Sequence, residues 1–220
     1  MHIGIIGAGF IGRAMAQLFI AAGHEVMLSN SRGPQTLTDL LTEIPCAQIG
    51  TIKDAAAFGE VVLVAIPFKH YQSLPAEWLQ AKTVLDANNY YPERDGAIPV
   101  LDRREATTSR LLAEHLPHSN VVKVFSSILA DDLARDARPA AAFDRRALPV
   151  AADNAVAKSL AMKLVEEAGF DAVDAGNLDE SWRFERAKPA YCIALNKASL
   201  KTALKEADRH FELPHGSWRH

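Results

Sequence analysis

Apolar positions along this chain fall into short, nearly continuous runs rather than into strict alternation. Ile3 to Ile6, Val26 to Leu28, Val61 to Ile66, Thr83 to Ala87, Val121 to Phe125, Ala147 to Ala151 and Phe170 to Val173 each read as a strand buried on both faces. Between them lie stretches with helical spacing: Ile11 through Met15, Leu18 and Phe19, then Thr36 to Leu41, Thr107 to Leu116 and Asn154 to Ala168. Gly23 and Gly169 follow two of these as stop signals. Strands that are apolar throughout need helices on each side. The alternation therefore predicts a Rossmann-like α/β fold, a mostly parallel sheet with helices on both faces.

After Gly176 the pattern changes to a charged, helix-prone tail interrupted by Pro189, in which Tyr191 to Ala207 carries apolar residues suited to packing. The expected division is a sheet domain over residues 1–176 and a C-terminal helical extension over residues 177–220. The extension packs either on that domain or on a partner subunit, and in the second case it makes a homodimer.

Composition narrows the partners. A chain of 220 residues, 49% hydrophobic, can bury one substantial core. With 24 basic and 27 acidic residues the net charge is −3, which gives no electrostatic reason to expect nucleic acid or an anionic membrane. A small molecule is the expected ligand. Cys46 and Cys192 are far apart and lack metal-ligand spacing, so both are expected as reduced thiols. The first strand opens the sequence with no basic leader, and no apolar run is long enough to cross a bilayer; a cytoplasmic location is expected. His210, His215 and His220 fit no usual ligand spacing, and no metal is expected. Arg135, Arg138, Arg145 and Arg146 alternate with Asp131, Asp132, Asp136 and Asp144, which reads as a solvated, paired surface.

The chemistry begins where the first strand runs into Gly7-Ala8-Gly9-Phe10-Ile11-Gly12. In a GxGxxG turn between strand and helix, Gly7 permits the tight turn, Gly9 lets backbone approach a pyrophosphate, and Gly12 lets the helix close on the sheet. The helix N-terminus then receives the phosphate. The second strand ends in Ser29-Asn30-Ser31-Arg32. A carboxylate there would bind a ribose 2′-hydroxyl, whereas neutral donors and a cation suit a 2′-phosphate. Glu25, the nearest acid, sits at the start of that strand and should not reach the ribose. NADP is the expected cofactor, with Asn30, Ser31 and Arg32 at its phosphate.

Further along, Ile66-Pro67 and His70 follow one strand end, where the nicotinamide should lie. Asn88 follows the next and is the preferred polar contact. Ser126, Ser127 and Ile128 follow a third, and these hydroxyls suit a planar acceptor. No catalytic acid–base dyad is visible, and the absence of a nucleophile elbow removes acyl transfer.

These residues, together with Asp174-Ala175-Gly176, resemble the NADP oxidoreductases that depend on the deazaflavin coenzyme F420. The resemblance runs into the C-terminal helices and is most specific in the N-terminal half. It implies hydride transfer between nicotinamide C4 and deazaflavin C5, with the rings stacked and the protein contributing mainly alignment and exclusion of water. It also implies that Ala8, Gly9, Phe10, Ile11, Ser31 and Arg32 meet NADP, that Ile66, Pro67 and His70 lie near the nicotinamide, and that Ser126, Ser127 and Ile128 lie on the acceptor side. Ser126 stands where an archaeal-type member carries histidine. Two other readings remain open: an NADPH reductase of a flavin, quinone, metal chelate or imine, and a non-catalytic NADP-sensing protein whose tail docks a partner.

Overall fold

The computed structural model describes residues 1–214 and 216–217. Eight strands form its sheet: β1 (His2–Ile6), β2 (Glu25–Ser29), β3 (Gln48–Gly50), β4 (Val61–Val64), β5 (Thr83–Asp86), β6 (Asn120–Lys123), β7 (Ala147–Ala152) and β8 (Asp171–Asp174). Helices are α1 (Phe10–Ala21), α2 (Leu40–Glu43), α3 (Ile52–Phe58), α4 (Pro92–Asp95), α5 (Pro99–Asp102), α6 (Thr108–His115), α7 (Ala130–Asp136), α8 (Ala155–Glu167) and α9 (Lys197–Glu206). The spatial order is β3-β2-β1-β4-β5-β6-β7-β8. The fold is Rossmann-like, as the apolar runs predict.

Alternation along each strand sorts side chains between two cores. Ile3 and Ile5 of β1 face Met15, Ala16 and Phe19 of α1, in a core that also takes Leu133 of α7 and Leu164 of α8. Ile6 faces the other way, toward Ala56 of α3 and Leu112 of α6. Each of these side chains is at most 1% exposed, and burying each Ile, Leu, Met or Phe among them contributes about 1.5–3 kcal/mol. α9 lays Leu200, Ala203 and Leu204 over Ala147, Ala151 and Val173, beside Phe184.

Several boundaries differ from the expectations. β3 pairs in parallel with β2 over three residues and was too short to register as an apolar run. The helix expected over Thr36 to Leu41 is instead a 3-10 turn, Pro34–Thr36, followed by α2. α3 has a capping box, in which Thr51 and Asp54 bond each other's backbone N–H groups. β7 runs antiparallel to β6, because the connection through α7 returns the chain to the end of the sheet it left; β8 then follows β7 in parallel. Arg145 and Arg146 are not solvated but 7% and 5% exposed. Arg145 donates to Glu166 and Phe170 carbonyls at the end of α8, and Arg146 pairs with Asp132 at 3.0 Å and Asp136 at 2.8 Å. Lacking water, both had to find these partners. Arg135 and Arg138 are exposed. His215 and His220 lie outside the described residues.

Candidate dinucleotide and acceptor site

Chain direction switches between β1 and β4: α1 leads from β1 to β2 on one side, and β4 pairs on the other. Ligands of open α/β sheets bind in the crevice at such a point, beyond the carboxyl ends of the strands. Gly7, with φ +116°, makes the turn out of β1, and its N–H donates to Ser29 at 2.9 Å. A Cβ at Gly12 would lie 1.8 Å from the Gly7 carbonyl oxygen, so only glycine allows α1 to start this close. Gly9 is different. A Cβ there would meet nothing within 4 Å, so packing inside the chain does not demand glycine.

Behind that open space, α1 starts without a side-chain cap and without an acid in its first turn. Its leading N–H groups are free to take an anion. Phe10 is 84% exposed and Ile11 is half-buried, both on the first turn. Arg13 donates from Nε to the Ala8 carbonyl at 3.0 Å and steadies the loop.

At the end of β2, buried Ser29 spends its hydroxyl on the Ile5 carbonyl. Asn30 spends its amide on the loop itself: Oδ1 accepts from Arg32 N–H at 2.9 Å, and Nδ2 donates to Thr36 Oγ1 at 2.9 Å. Asn30 thereby shapes the loop that presents Ser31 and Arg32, both exposed. Among the described residues the Arg32 guanidinium has no hydrogen-bond or ion-pair partner. Glu25 sits at the far end of β2 with His2 at 3.3 Å.

β4 ends at Val64, and Ile66 donates its N–H to Asn88 Oδ1 at 2.8 Å. Pro67 and His70 are exposed, and Pro67 precedes a 3-10 turn, Phe68–Ser73, that is anchored by fully buried Phe68. Ser126, Ser127 and Ile128 are each 3% exposed. The Ile128 side chain belongs to the core, and the Ser127 carbonyl takes the Cys192 N–H at 3.1 Å.

Three buried polar atoms have no partner near the ends of β5 and β6: Asn88 Nδ2, Asn89 Oδ1 and Ser126 Oγ. They are close in the structure, since Asn88 and Asn89 are adjacent and Asn89 Nδ2 donates to the Ser126 carbonyl at 2.7 Å. Buried polar groups without a protein partner are costly, so these three call for an ordered water or a ligand group at this place. Phe125, immediately before Ser126, and Cys192 hold φ values of +58° and +57°. Left-handed backbone at non-glycine residues costs energy and gathers at functional sites. Beside them the Tyr91 and Tyr191 hydroxyls share a short hydrogen bond. Burial, with Cys192 and Tyr91 beside it, holds the Tyr191 phenol neutral far above the ordinary range.

The sequence reading missed the residues beneath this cluster. Lys123 and Asp86, both wholly buried, face each other at 3.6 Å at the ends of β6 and β5. The available signal was a lysine inside an otherwise apolar strand. It also missed a cavity of about 580 Å³ behind Tyr90 and Thr108, walled by Trp182, Glu185, Arg186 and Lys188.

Residues 2–90 match the family described as NADP oxidoreductase, coenzyme F420-dependent. This is the family that the N-terminal motifs resemble. The Escherichia coli (strain K12) protein YjhV is 37% identical over 65 residues, 30% of this chain and 47% of YjhV; the chain thus spans about half the length of this curated relative. Among solved structures, the protein SMa0349 of Sinorhizobium meliloti superposes with a TM-score of 0.76 at 28% identity, covering 90% of this chain and 95% of that one. A protein of Arthrobacter sp. FB24, provisionally named an F420-dependent NADP reductase, gives 0.69 at 26%, covering 80% and 85%. A reductive aminase from Aspergillus terreus, solved with NADPH, shares the fold at a TM-score of 0.58 and 16% identity, with 81% and 55% covered. Among the described residues no helix is long and apolar enough to cross a membrane.

Proposed function

We propose that this protein binds NADPH across the carboxyl ends of β1, β2, β4 and β5 and catalyses hydride transfer between it and a small planar acceptor of the deazaflavin, coenzyme F420, type. The observation that carries the reading is the uncapped N-terminus of α1 behind the open space at Gly9, beside a loop that presents Arg32, unpartnered among the described residues, and no carboxylate. That donor set suits a pyrophosphate and a 2′-phosphate. Gly7, Ala8, Gly9, Phe10, Ile11 and Gly12 line the pyrophosphate, Ser31 and Arg32 meet the 2′-phosphate, and Asn30 sets the loop. Ile66, Pro67, His70 and Asn88 border the nicotinamide, with Ser126 and Ser127 on the acceptor side and Ile128 behind them. Residues 1–176 form the NADP-binding unit on this reading, and residues 177–220 extend it.

When bound, NADPH supplies the hydride. The chain's part is to align and to dry the site. The Ile66 N–H and the Asn88 amide oxygen bond each other, so the ends of β4 and β5 cannot slide apart. Apolar Ile66 and Pro67 exclude water from one face of a flat ring, while the unpartnered Asn88 Nδ2 offers a donor at its edge. Ring alignment of this kind accounts for much of the barrier lowering in a reaction whose hard chemistry lies in its cofactors.

The test mixes purified protein with NADPH and oxidised coenzyme F420 and follows the deazaflavin absorbance, with NADH, or flavin in place of deazaflavin, as controls. NADPH-dependent bleaching is expected. Tight NADPH binding with turnover of flavin alone would remove the deazaflavin, and binding without turnover of any acceptor would turn the reading toward an NADP sensor.

A further inference from the structure

Lys123 is 0% exposed at the carboxyl end of β6, where a hydrophobic residue would cost far less to bury. Its Nζ donates to the Asn88 carbonyl and, at 2.9 Å, to Thr108 Oγ1, and it faces Asp86 Oδ2 at 3.6 Å. An ammonium group has three N–H bonds, and three acceptors surround this one. Asp86 completes the frame: Oδ1 accepts the Asn88 N–H at 2.9 Å, and Oδ2 takes the Ser109 hydroxyl. Thr108 is itself held, because its N–H and Oγ both donate to Glu185 Oε1, at 2.9 and 2.8 Å. Both backbone groups of Asn88 are therefore fixed by a buried ion pair, and its side-chain Oδ1 is fixed by Ile66 N–H. Only Nδ2 is left without a partner.

A buried ion pair adds little stability over an apolar pair of similar volume. What it does supply here is geometry, since Lys123 and Asp86 each bond a backbone group of Asn88, and Thr108 and Ser109 hold that pair in turn. We infer that Lys123, balanced by Asp86, is a positioning residue that fixes Asn88 so that its free amide nitrogen donates to the carboxamide of the nicotinamide. The inference rests on the NADPH reading above. It makes Lys123 a determinant of how the redox end of the cofactor is held, and leaves the adenosine end independent of it.

Two ligands separate those ends: NADPH, and adenosine 2′,5′-bisphosphate, which has the phosphate groups of the adenosine half but no nicotinamide. Calorimetric titration compares the wild type with Lys123→Met/Asp86→Asn, which removes both charges and keeps the volumes. The expected result is a dissociation constant for the bisphosphate within about twofold of wild type and one for NADPH raised by about tenfold, the weight of one hydrogen bond. Asn88→Ala should give the same selective loss, and the triple variant should lose no more than Asn88→Ala alone, because residues acting through one contact are not additive. Thr108→Val keeps the ion pair and removes one acceptor. It should give a smaller loss in the same direction, and it carries the test if the double variant does not fold. Equal losses for both ligands, no loss for either, or multiplying losses in the triple variant would overturn the positioning role. Wild-type protein that binds neither ligand would overturn the NADPH reading and this inference with it.

Discussion

On the proposed NADPH reading, replacing Arg32 by alanine should leave a site that barely distinguishes NADPH from NADH. The guanidinium is exposed and has no partner among the described residues, so its removal should leave stability within about 0.5 kcal/mol of wild type. With NADPH bound, the loss is one charge-assisted contact to phosphate, and such contacts are worth about 1.5–3 kcal/mol. An exposed loop lies in high dielectric, which favours the lower end of that range. About 1.5 kcal/mol corresponds to roughly tenfold in affinity. NADH lacks the 2′-phosphate and should be unaffected. Titration of cofactor fluorescence at several salt concentrations reads both numbers. The wild-type preference should shrink as salt rises, because the screening length falls from about 10 Å at 0.1 M to about 3 Å at 1 M, and the variant should show little of this dependence. Asn30→Ala should give a partial version of the same phenotype, through a loosened loop. Equal weakening of NADPH and NADH by Arg32→Ala would refute the assignment of this loop to the 2′-phosphate.

Other outcomes follow from single contacts. Gly12→Ala puts a methyl group on the Gly7 carbonyl and should cost about 3 kcal/mol or more, the upper end for overpacking; at about 2–4 °C per kcal/mol, a thermal melt should fall by about 6–12 °C. Burial pushes the Cys192 thiol up to about 12, whereas Cys46 is exposed, so a thiol reagent at pH 8 should label one cysteine in native protein and two after denaturation. Burial alone would raise the Asp136 pKa, but hydrogen bonds from Arg135 and Arg146 outweigh it and hold the pKa below the usual carboxylate value. Its folded pKa lies under its unfolded one, so it contributes stability above about pH 4 that is lost as pH falls through the folded value. Urea denaturation between pH 7 and pH 3 should show this loss, and Asp136→Asn should flatten it.

Seven of the eight strands were legible as apolar runs, the six central ones because a strand buried on both faces must be apolar along its whole length, and edge strand β8 because the helices α8 and α9 cover it. Edge strand β3, Gln48-Ile49-Gly50, has no run to see, and its position comes from pairing with β2. The Thr51–Asp54 capping box was visible in the sequence but lay outside any long apolar period. Strand direction is not encoded in the apolar runs, so the one antiparallel step, from β6 to β7, could not be read from them. At the site, the glycine turn and the Ser31-Arg32 loop were legible because their chemistry is local. Lys123 and Asp86 were not, since their roles arise only when β5 and β6 lie side by side. Arg145 and Arg146 misled for the opposite reason: composition suggests water around a charged cluster, and only tertiary packing reveals the carbonyls and carboxylates that replace it.

The empty space in front of Gly9 separates two requirements that the neighbouring glycines combine. At Gly7 and Gly12 a side chain would collide with the protein, so a substitution there disturbs the fold before it can disturb a ligand. At Gly9 a methyl group would collide only with a ligand. Gly9→Ala should therefore keep the wild-type melting temperature and, on the proposed reading, lose NADPH affinity, so that a cell carrying it would possess a folded, normally abundant chain blind to NADPH. Such a chain makes any role the protein plays by mere presence, as a docking partner or a subunit, distinguishable from what it does by turnover.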